Sequence, residues 1–154
     1  MAGDDVWHLV AYCGLYCGAC ANRARIPIQA RVLGDSLHAE SWDLFGENMF
    51  PGFGRFMEIL DALGDSDQVC PGCRSGGGNP GCRIRLCCEG RGLQGCGFCE
   101  DYPCLKVRDL GEVYPVLLAD GERLRVSGVQ AWVKMQERRI ERGFVYSCIR
   151  CDSE

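Results

Sequence analysis

Thirteen cysteines among 154 residues constrain this chain more than any other feature. Cysteine makes up about 8% of the sequence, which is frequent enough for thiol chemistry, and not hydrophobic burial alone, to organise much of the fold. The cysteines fall into three segments, with three at 13–20, eight at 70–104 and two at 148–151. The two long spans between these segments contain no cysteine and are expected to fold by ordinary apolar packing.

The start of the chain argues against disulfides. MAGDDVWHLVAYCGLYCG is acidic and lacks the basic, apolar and small-residue stretches of a secretory signal. We therefore expect a cytoplasmic protein, whose reducing surroundings keep thiols free or metal-bound. An odd number of cysteines also cannot pair completely within one chain. No run approaches the roughly 18 to 20 apolar residues of a membrane span, so we expect no membrane association. Metal binding is the leading explanation of the cysteines.

The cysteine-free spans show helical periodicity. Apolar residues recur at i, i+3, i+4 and i+7 and predict helices at about 27–38 and 51–63. The second cysteine-free span, residues 105–147, has similar spacing and also predicts helical structure. Pro115 is expected to interrupt the helix, and Gly143 is expected to end it. The sequence thus predicts a mainly α fold, or a small α+β fold, with helices packed around a metal-organised, glycine- and cysteine-rich irregular centre. The expected apolar core contains Phe53, Phe56, Leu60, Trp132 and Val133.

Two Cys-x-x-Cys motifs give the strongest chemical signal. Cys70 and Cys73 lie in CPGC, 22 residues before Cys96 and Cys99 in CGFC. Each loop can place two thiolates on one tetrahedral ion, and two such loops supply four ligands. The alternative is a set of buried structural thiols, since a free cysteine packs as a small hydrophobe. We favour a shared metal site, because both loops contain glycine and lie in a polar segment.

The N-terminal motif CGLYCGAC places Cys13, Cys17 and Cys20 at Cys-x3-Cys-x2-Cys spacing. Radical enzymes that use S-adenosylmethionine have the same spacing. Those enzymes need much of a (β/α) barrel, however, and this sequence shows no alternating strands. We therefore expect a closed metal site whose fourth ligand comes from the central cysteine segment.

Two further cysteine pairs are harder to interpret. IRLCCEGRG predicts a short helix, from which the adjacent Cys87 and Cys88 point in different directions, so at most one faces a given metal. Cys148 and Cys151, in SCIRC, could be a ligand pair, a redox-active pair or a frayed thiol pair at the end of the chain. The sequence does not separate these alternatives.

The ordered set CGLYCGAC, CPGC, CRIRLCC and CGFCEDYPC resembles an uncharacterised cysteine-rich domain family of unknown function, found in many bacteria and archaea. The resemblance covers about residues 10–107 and implies a cytoplasmic, zinc-binding domain without an assigned reaction. Residues 108–154 lie outside the resemblance, and we expect them to form a helical extension of a single domain over residues 1–154. Of the adjacent cysteines, Cys87 matches the family pattern and Cys88 does not. The metal ligands that it implies are Cys13, Cys17, Cys20, Cys70, Cys73, Cys82, Cys87, Cys96, Cys99 and Cys104.

Ligand type alone does not choose the metal, because sets of four thiolates suit zinc, single iron and iron–sulfur clusters alike. We favour two or more zinc ions, since paired Cys-x-x-Cys loops are typical of zinc and the ferredoxin run of cysteines is absent. An iron–sulfur cluster is the alternative. The two histidines, His8 and His38, are expected to be surface or packing residues and not ligands.

The all-cysteine ligand sets favour a binding or adaptor protein over an enzyme. All-cysteine sites are usually closed and structural, and we name no catalytic residue; thiol redox or electron transfer is the alternative. SGGGNPG at 75–81 lacks the residues of a phosphate loop and predicts a flexible connector.

The charge of the chain bears on its partner. A net charge of −4 favours a protein partner over nucleic acid. Arginines near the cysteine loops and in the last helix alternate with glutamates, which is typical of a solvated helix face. These are Arg83, Arg85, Arg91, Arg138, Arg139 and Arg142.

Overall fold

The computed structural model describes residues 6–146, and these are mainly helical, with one isolated antiparallel bridge between Val10 and Tyr16. The mainly α prediction is confirmed. The chain divides into two compact units, a helical unit of residues 21–71 and a cysteine-rich unit made of the residues before and after it. No helix within 6–146 is long and apolar enough to cross a membrane. The α-helices are α1 (Ala21–Ala24), α2 (Ile26–Ala39), α3 (Trp42–Met49), α4 (Phe53–Gly64), α5 (Ser66–Val69), α6 (Arg83–Gly90), α7 (Leu105–Val113), α8 (Leu117–Ser127) and α9 (Val129–Glu141).

The helical unit is built around helices α2 and α4, close to the predicted positions. Its core consists of Ala30 from α2 and of Phe53, Met57 and Leu60 from α4. The spacing i, i+4, i+7 places these three α4 residues on one face, which packs against α2. Helix α3 was not predicted, because it is short and its apolar residues have no clear periodicity.

The prediction that Phe56 belongs to the core is wrong. Phe53 and Leu60 are buried as expected, but Phe56 is 42% exposed. Phe56 lies on α4 with Ile59 and Leu63 in a second apolar row, and both of these residues are exposed as well. The apolar face of α4 is therefore wider than the part that α2 covers.

In the cysteine-rich unit, helices α8 and α9 supply an apolar core. Leu124 and Trp132 are fully buried and Val133 is nearly so, which confirms the two predictions for α9. Helices α7 and α8 are separated at Pro115, as expected, and Gly143, with φ +90°, follows the end of α9. The break between α8 and α9 at Gly128, with φ +75°, was not predicted.

Arg139 of α9 is half-buried, and its guanidinium is held by contacts within the protein. Arg139 donates to Asp120 Oδ2 at 2.7 Å and to Gln136 Oε1 at 3.0 Å, and its guanidinium lies 3.8 Å from the ring centroid of Phe144. Asp120 is only 1% exposed. Since a buried carboxylate needs a charged partner, Arg139 joins α8 to α9 and is not simply part of the solvated helix face that its sequence pattern predicts.

Helix α8 brings its backbone very close to two cysteine loops at Gly121. A Cβ atom built on Gly14 would lie 3.5 Å from Gly121 Cα, and one built on Gly97 would lie 3.2 Å from Gly121 O. The side chain of Tyr102 also packs against Gly121, and its hydroxyl donates to Leu118 O at 3.2 Å. Glycine at these positions lets both loops pack directly on the helix.

Replacing Gly121 with alanine should destabilise the protein. The new Cβ would lie 2.1 Å from Tyr102 Oη and 2.9 Å from its Cζ. We expect a loss of about 1–3 kcal/mol, although alanine favours an isolated helix by about 1 kcal/mol. Gly90→Ala is the matched control, because nothing lies within 4 Å of its Cβ position. Chemical denaturation measures both; equal stability of the two variants would contradict the close packing.

Candidate metal centre

Cluster 1, the first group of neighbouring thiols, contains Cys13, Cys17, Cys73 and Cys82. Cys13 and Cys17 are buried, and the other two are half-buried against the same apolar cluster. All three neighbours lie close enough to Cys13 for their charge to raise its pKa. Separate segments of the chain thus bring four sulfurs near one another.

Tight backbone turns position the members of cluster 1. The turn that holds Cys13 closes through a hydrogen bond from Ala11 N to Leu15 O at 2.9 Å, and it needs the positive φ of Gly14. Cys17 and Cys73 each begin a short 3-10 turn, and Cys82 is the N-cap of α6. The glycines of CGLYC and CPGC therefore allow the tight backbone turns that hold the thiols.

Cluster 2 contains Cys87, Cys88, Cys96, Cys99 and Cys104, which all line one cavity of about 70 Å³. Cys87 and Cys88 come from α6, Cys96 begins a 3-10 turn that ends at Cys99, and Cys104 is the N-cap of α7. This cluster has one thiol more than a tetrahedral ion needs.

Two cations lie directly against the sulfurs of cluster 2. Arg91 donates to Cys99 Sγ at 3.0 Å and also pairs with Asp101 at 3.0 Å. Lys106 Nζ lies 3.7 Å from Cys87 Sγ. Positive charge beside a sulfur stabilises the thiolate, which is the form that binds metals. Lys106 was missed in the sequence, where nothing marks it out from other surface lysines.

Burial and hydrogen bonding between thiols shift the pKa values of three cysteines in the two clusters. Burial is the main cause that raises the pKa of Cys13 to about 12, so this thiol is protonated at neutral pH. Cys88 and Cys96 share a hydrogen bond that lowers the pKa of Cys88 and raises that of Cys96. Any cation that binds these sulfurs must displace their protons, so its affinity falls as the pH falls.

The backbone ties the two clusters together. Cys96 N donates to Tyr12 O at 2.6 Å, next to Cys13. Arg74, next to Cys73, donates to Val10 O at 2.8 Å and also to Gln94 O. The guanidinium of Arg74 lies 4.4 Å from the ring centroid of Tyr12, where it gains cation–π attraction. Nothing in the sequence marks Arg74 for this role.

Arg85 is buried, and the expectation that it lies on a solvated helix face is wrong. It is 7% exposed and donates to Gly77 O at 2.8 Å, Asn79 O at 2.9 Å, and Cys73 O and Pro80 O at 3.2 Å each. One side chain thus holds the glycine-rich segment that was expected to be a flexible connector. The planar guanidinium is suited to this task, because its donors reach several carbonyls at once.

Replacing Arg85 with methionine should loosen the segment between Cys73 and Cys82. We expect a loss of about 3 kcal/mol or more, since hydrogen bonds to a charged donor contribute about 1.5–3 kcal/mol each. Arg83→Met, an exposed position on the same helix, is the control and should change stability by less than about 0.5 kcal/mol. Thermal unfolding of both variants measures the difference. A fully stable Arg85→Met protein would contradict the role of this side chain.

The remaining predicted ligands lie outside both clusters. Cys20 is half-buried in the cysteine-rich unit, and Cys70 is buried in the helical unit, where its carbonyl accepts a hydrogen bond from Arg23. Cys148 and Cys151 lie outside the described residues. The contacts group Cys73 with cluster 1 and not with CGFC, which differs from the pairing that the motifs suggested.

The thiols are neighbours, but they are not arranged as a metal site. Within residues 6–146, no three or more His, Cys, Asp or Glu side chains stand in an arrangement that could hold a metal ion. No disulfide joins the cysteines of the same range. The donor set itself is entirely sulfur, which suits zinc and iron and does not suit the oxygen-seeking cations magnesium and calcium.

A family model described as "Protein of unknown function (DUF3795)" matches residues 9–109, more than half of the chain. The chain belongs to the DUF3795 family. This confirms that the chain resembles a family of unknown function over about residues 10–107, and all members of both thiol clusters lie inside the DUF3795 match. Neither the curated proteins nor the solved structures gave a match. Membership of DUF3795 assigns no activity.

Proposed function

We propose that this protein is a cytoplasmic zinc-binding domain whose metal sites are mainly structural, and that it acts as a binding or adaptor protein. The observation that carries the proposal is the gathering of four and five thiols from separate segments into clusters 1 and 2. Four thiolates complete a closed tetrahedral zinc site, and the two clusters together account for about two ions.

Cluster 1 would hold one ion through Cys13, Cys17, Cys73 and Cys82. Its thiols are buried or half-buried among apolar side chains. The backbone N–H of Leu15 donates a hydrogen bond to the thiol of Cys13. Donors of this kind stabilise thiolate ligands and orient them. Binding would require the side chains to rotate toward a common centre.

Cluster 2 would hold a second ion through Cys96, Cys99, Cys104 and one cysteine of α6. We assign the fourth ligand to Cys87, which lies beside Lys106. Cys88 lines the same cavity and shares a hydrogen bond with Cys96, but it is 2% exposed and, unlike Cys87, does not match the cysteine pattern of the family that the sequence resembles. Arg91 and Lys106 would offset part of the negative charge of a tetrathiolate site.

An iron–sulfur or thiol redox protein is the alternative, and one observation favours it. Arg91 and Lys106 contact sulfurs at the cavity of cluster 2. Hydrogen bonds and positive charge at the sulfurs raise the reduction potential of an iron–sulfur cluster, so the same contacts would serve electron transfer.

The absorption spectrum of anaerobically purified protein separates these proposals. Zinc sites are colourless, because Zn²⁺ has a filled d shell. We expect no absorption in the visible range and zinc as the dominant metal by elemental analysis. A brown or red protein that bleaches on reduction would overturn zinc in favour of iron. A colourless protein that contains neither metal would overturn both metal assignments and leave thiol redox chemistry.

A further inference from the structure

The helical unit exposes an unusual amount of apolar surface. Ten of the sixteen large hydrophobic side chains that are exposed within residues 6–146 lie between residues 28 and 63. Isolated exposed hydrophobic residues are normal, but a contiguous apolar patch marks an interaction surface. The arrangement of these side chains on α3 and α4 therefore decides whether they form a patch.

The exposed residues of α4 form a continuous row, which we call the α4 stripe. Its members are Phe56, Ile59 and Leu63, at spacing i, i+3 and i+7, and their exposed fractions are 42%, 47% and 37%. This spacing places all three on one side of the helix, beside the face that packs on α2. The α4 stripe is therefore the part of the apolar face of α4 that the helical unit leaves uncovered.

Other apolar groups extend the α4 stripe at both ends. At one end, the ring of Phe56 lies 5.7 Å from that of Phe53, and Phe53 continues to Trp42 at 5.6 Å. Phe50, which is 57% exposed, stacks on Trp42 at 6.2 Å. At the other end, a groove of about 200 Å³ is lined by Ile59, Ala62, Leu63, Gln68 and Val69. The groove offers a recess for an apolar side chain.

The charge around the α4 stripe selects among occupants. The helical unit, residues 21–71, carries eight carboxylates and four arginines, a net of four negative charges. Two of these carboxylates are paired within the unit, Asp67 with Arg23 and Glu58 with Arg55, and the others remain for a partner. A second copy of this unit would bring like charges together, and an anionic membrane surface would be repelled in the same way. A row at i, i+3 and i+7 matches the apolar side of a helix, and an acidic margin favours basic flanking residues.

We propose that the α4 stripe and its groove bind a basic amphipathic helix of a protein partner. The partner helix places apolar residues along Phe56, Ile59 and Leu63 and in the groove, and its lysines or arginines face the remaining carboxylates of the helical unit. This gives a partner class to the adaptor part of the proposed function. It does not depend on the metal sites, because both thiol clusters lie in the cysteine-rich unit.

The test uses the full chain and two synthetic helices, one with leucines at i, i+3, i+4 and i+7 and lysines elsewhere, and one with glutamates in place of the lysines. Titration calorimetry should show binding of the leucine–lysine helix that weakens as salt is added. The double variant Ile59→Gln, Leu63→Gln should weaken binding by at least about tenfold. Val126→Gln, at a 77% exposed site on α8, is the control and should leave binding unchanged within about twofold.

Each other outcome overturns the proposal. Equal binding of the leucine–glutamate helix, or no binding of either helix, would do so. Dimerisation of the chain alone that is lost in the double variant would assign the α4 stripe to a second copy, and binding to phosphatidylserine vesicles that is lost in it would assign the stripe to lipid. Metal content measured on the same samples separates the proposed metal sites from the proposed binding surface. Failure of peptide binding at full metal content would refute only the role of the α4 stripe.

Discussion

Replacing Cys99 with serine should remove about one metal equivalent per chain and lower the thermal midpoint by more than about 10 °C. Cys99 lies in cluster 2 with Arg91 against its sulfur, so its loss leaves only three of the four assigned thiolate ligands. A structural zinc ion contributes roughly 10–16 kcal/mol of apparent binding free energy, which is comparable with the whole 5–15 kcal/mol stability of a domain. Elemental analysis and calorimetry measure the two effects.

The adjacent pair on α6 provides the matched comparison. Cys87→Ala should behave like Cys99→Ser, because we assign Cys87 as the fourth ligand of cluster 2. Cys88→Ala should keep its full metal content, because Cys88 is not one of the four assigned ligands, and it should lose only about 1 kcal/mol of stability from the small side chain that is removed. Loss of metal in Cys88→Ala alone would show that the other member of the pair is the ligand. Equal metal content in all three variants would refute the assignment of cluster 2.

Removing the metal with a chelator should unfold one unit and spare the other. The cysteine-rich unit contains both thiol clusters, whereas the helical unit has its own core of Ala30, Phe53, Met57 and Leu60. Hydrogen exchange followed by mass spectrometry should show loss of protection at 83–113 and retained protection in α2 and α4. We expect opening of the first region to become easier by at least several kcal/mol, because the binding free energy of the ions no longer opposes it.

Readdition of zinc is the control for this experiment and should restore protection at 83–113. Uniform loss of protection across both units would mean that the helical unit does not fold on its own core. Unchanged protection everywhere would mean that apolar packing alone holds the cysteine-rich unit together and that the metal has no structural role.

The sequence predicted the parts of the fold that follow from local periodicity. Helices α2 and α4 appear where apolar residues recur at helical spacing, and Trp132 and Val133 are buried because α9 has a single apolar face. The placement of Phe56 failed for a physical reason. A wide apolar face predicts burial for all its members, but one neighbouring helix covers only part of it, and no single-helix pattern shows which part.

The grouping of the thiols could not be read from the sequence. Spacing within CPGC and CGFC shows which sulfurs are close along the chain, whereas cluster 1 joins Cys13 to Cys73 and Cys82 through tertiary contacts. Arg85 illustrates the same limit, because Glu89, one helical turn later, makes it look like a surface residue. Only the fold shows that its side chain turns inward to four carbonyls.

The metal content of the chain, purified without oxygen and measured by elemental analysis against protein concentration from amino-acid analysis, tests the central claim most directly. Two closed tetrathiolate sites predict about two zinc ions per chain. They also predict that both ions are lost together with the structure of the cysteine-rich unit on acidification, because protons compete for the thiolates. A metal content below about one ion per chain, in protein that is folded, would contradict the account.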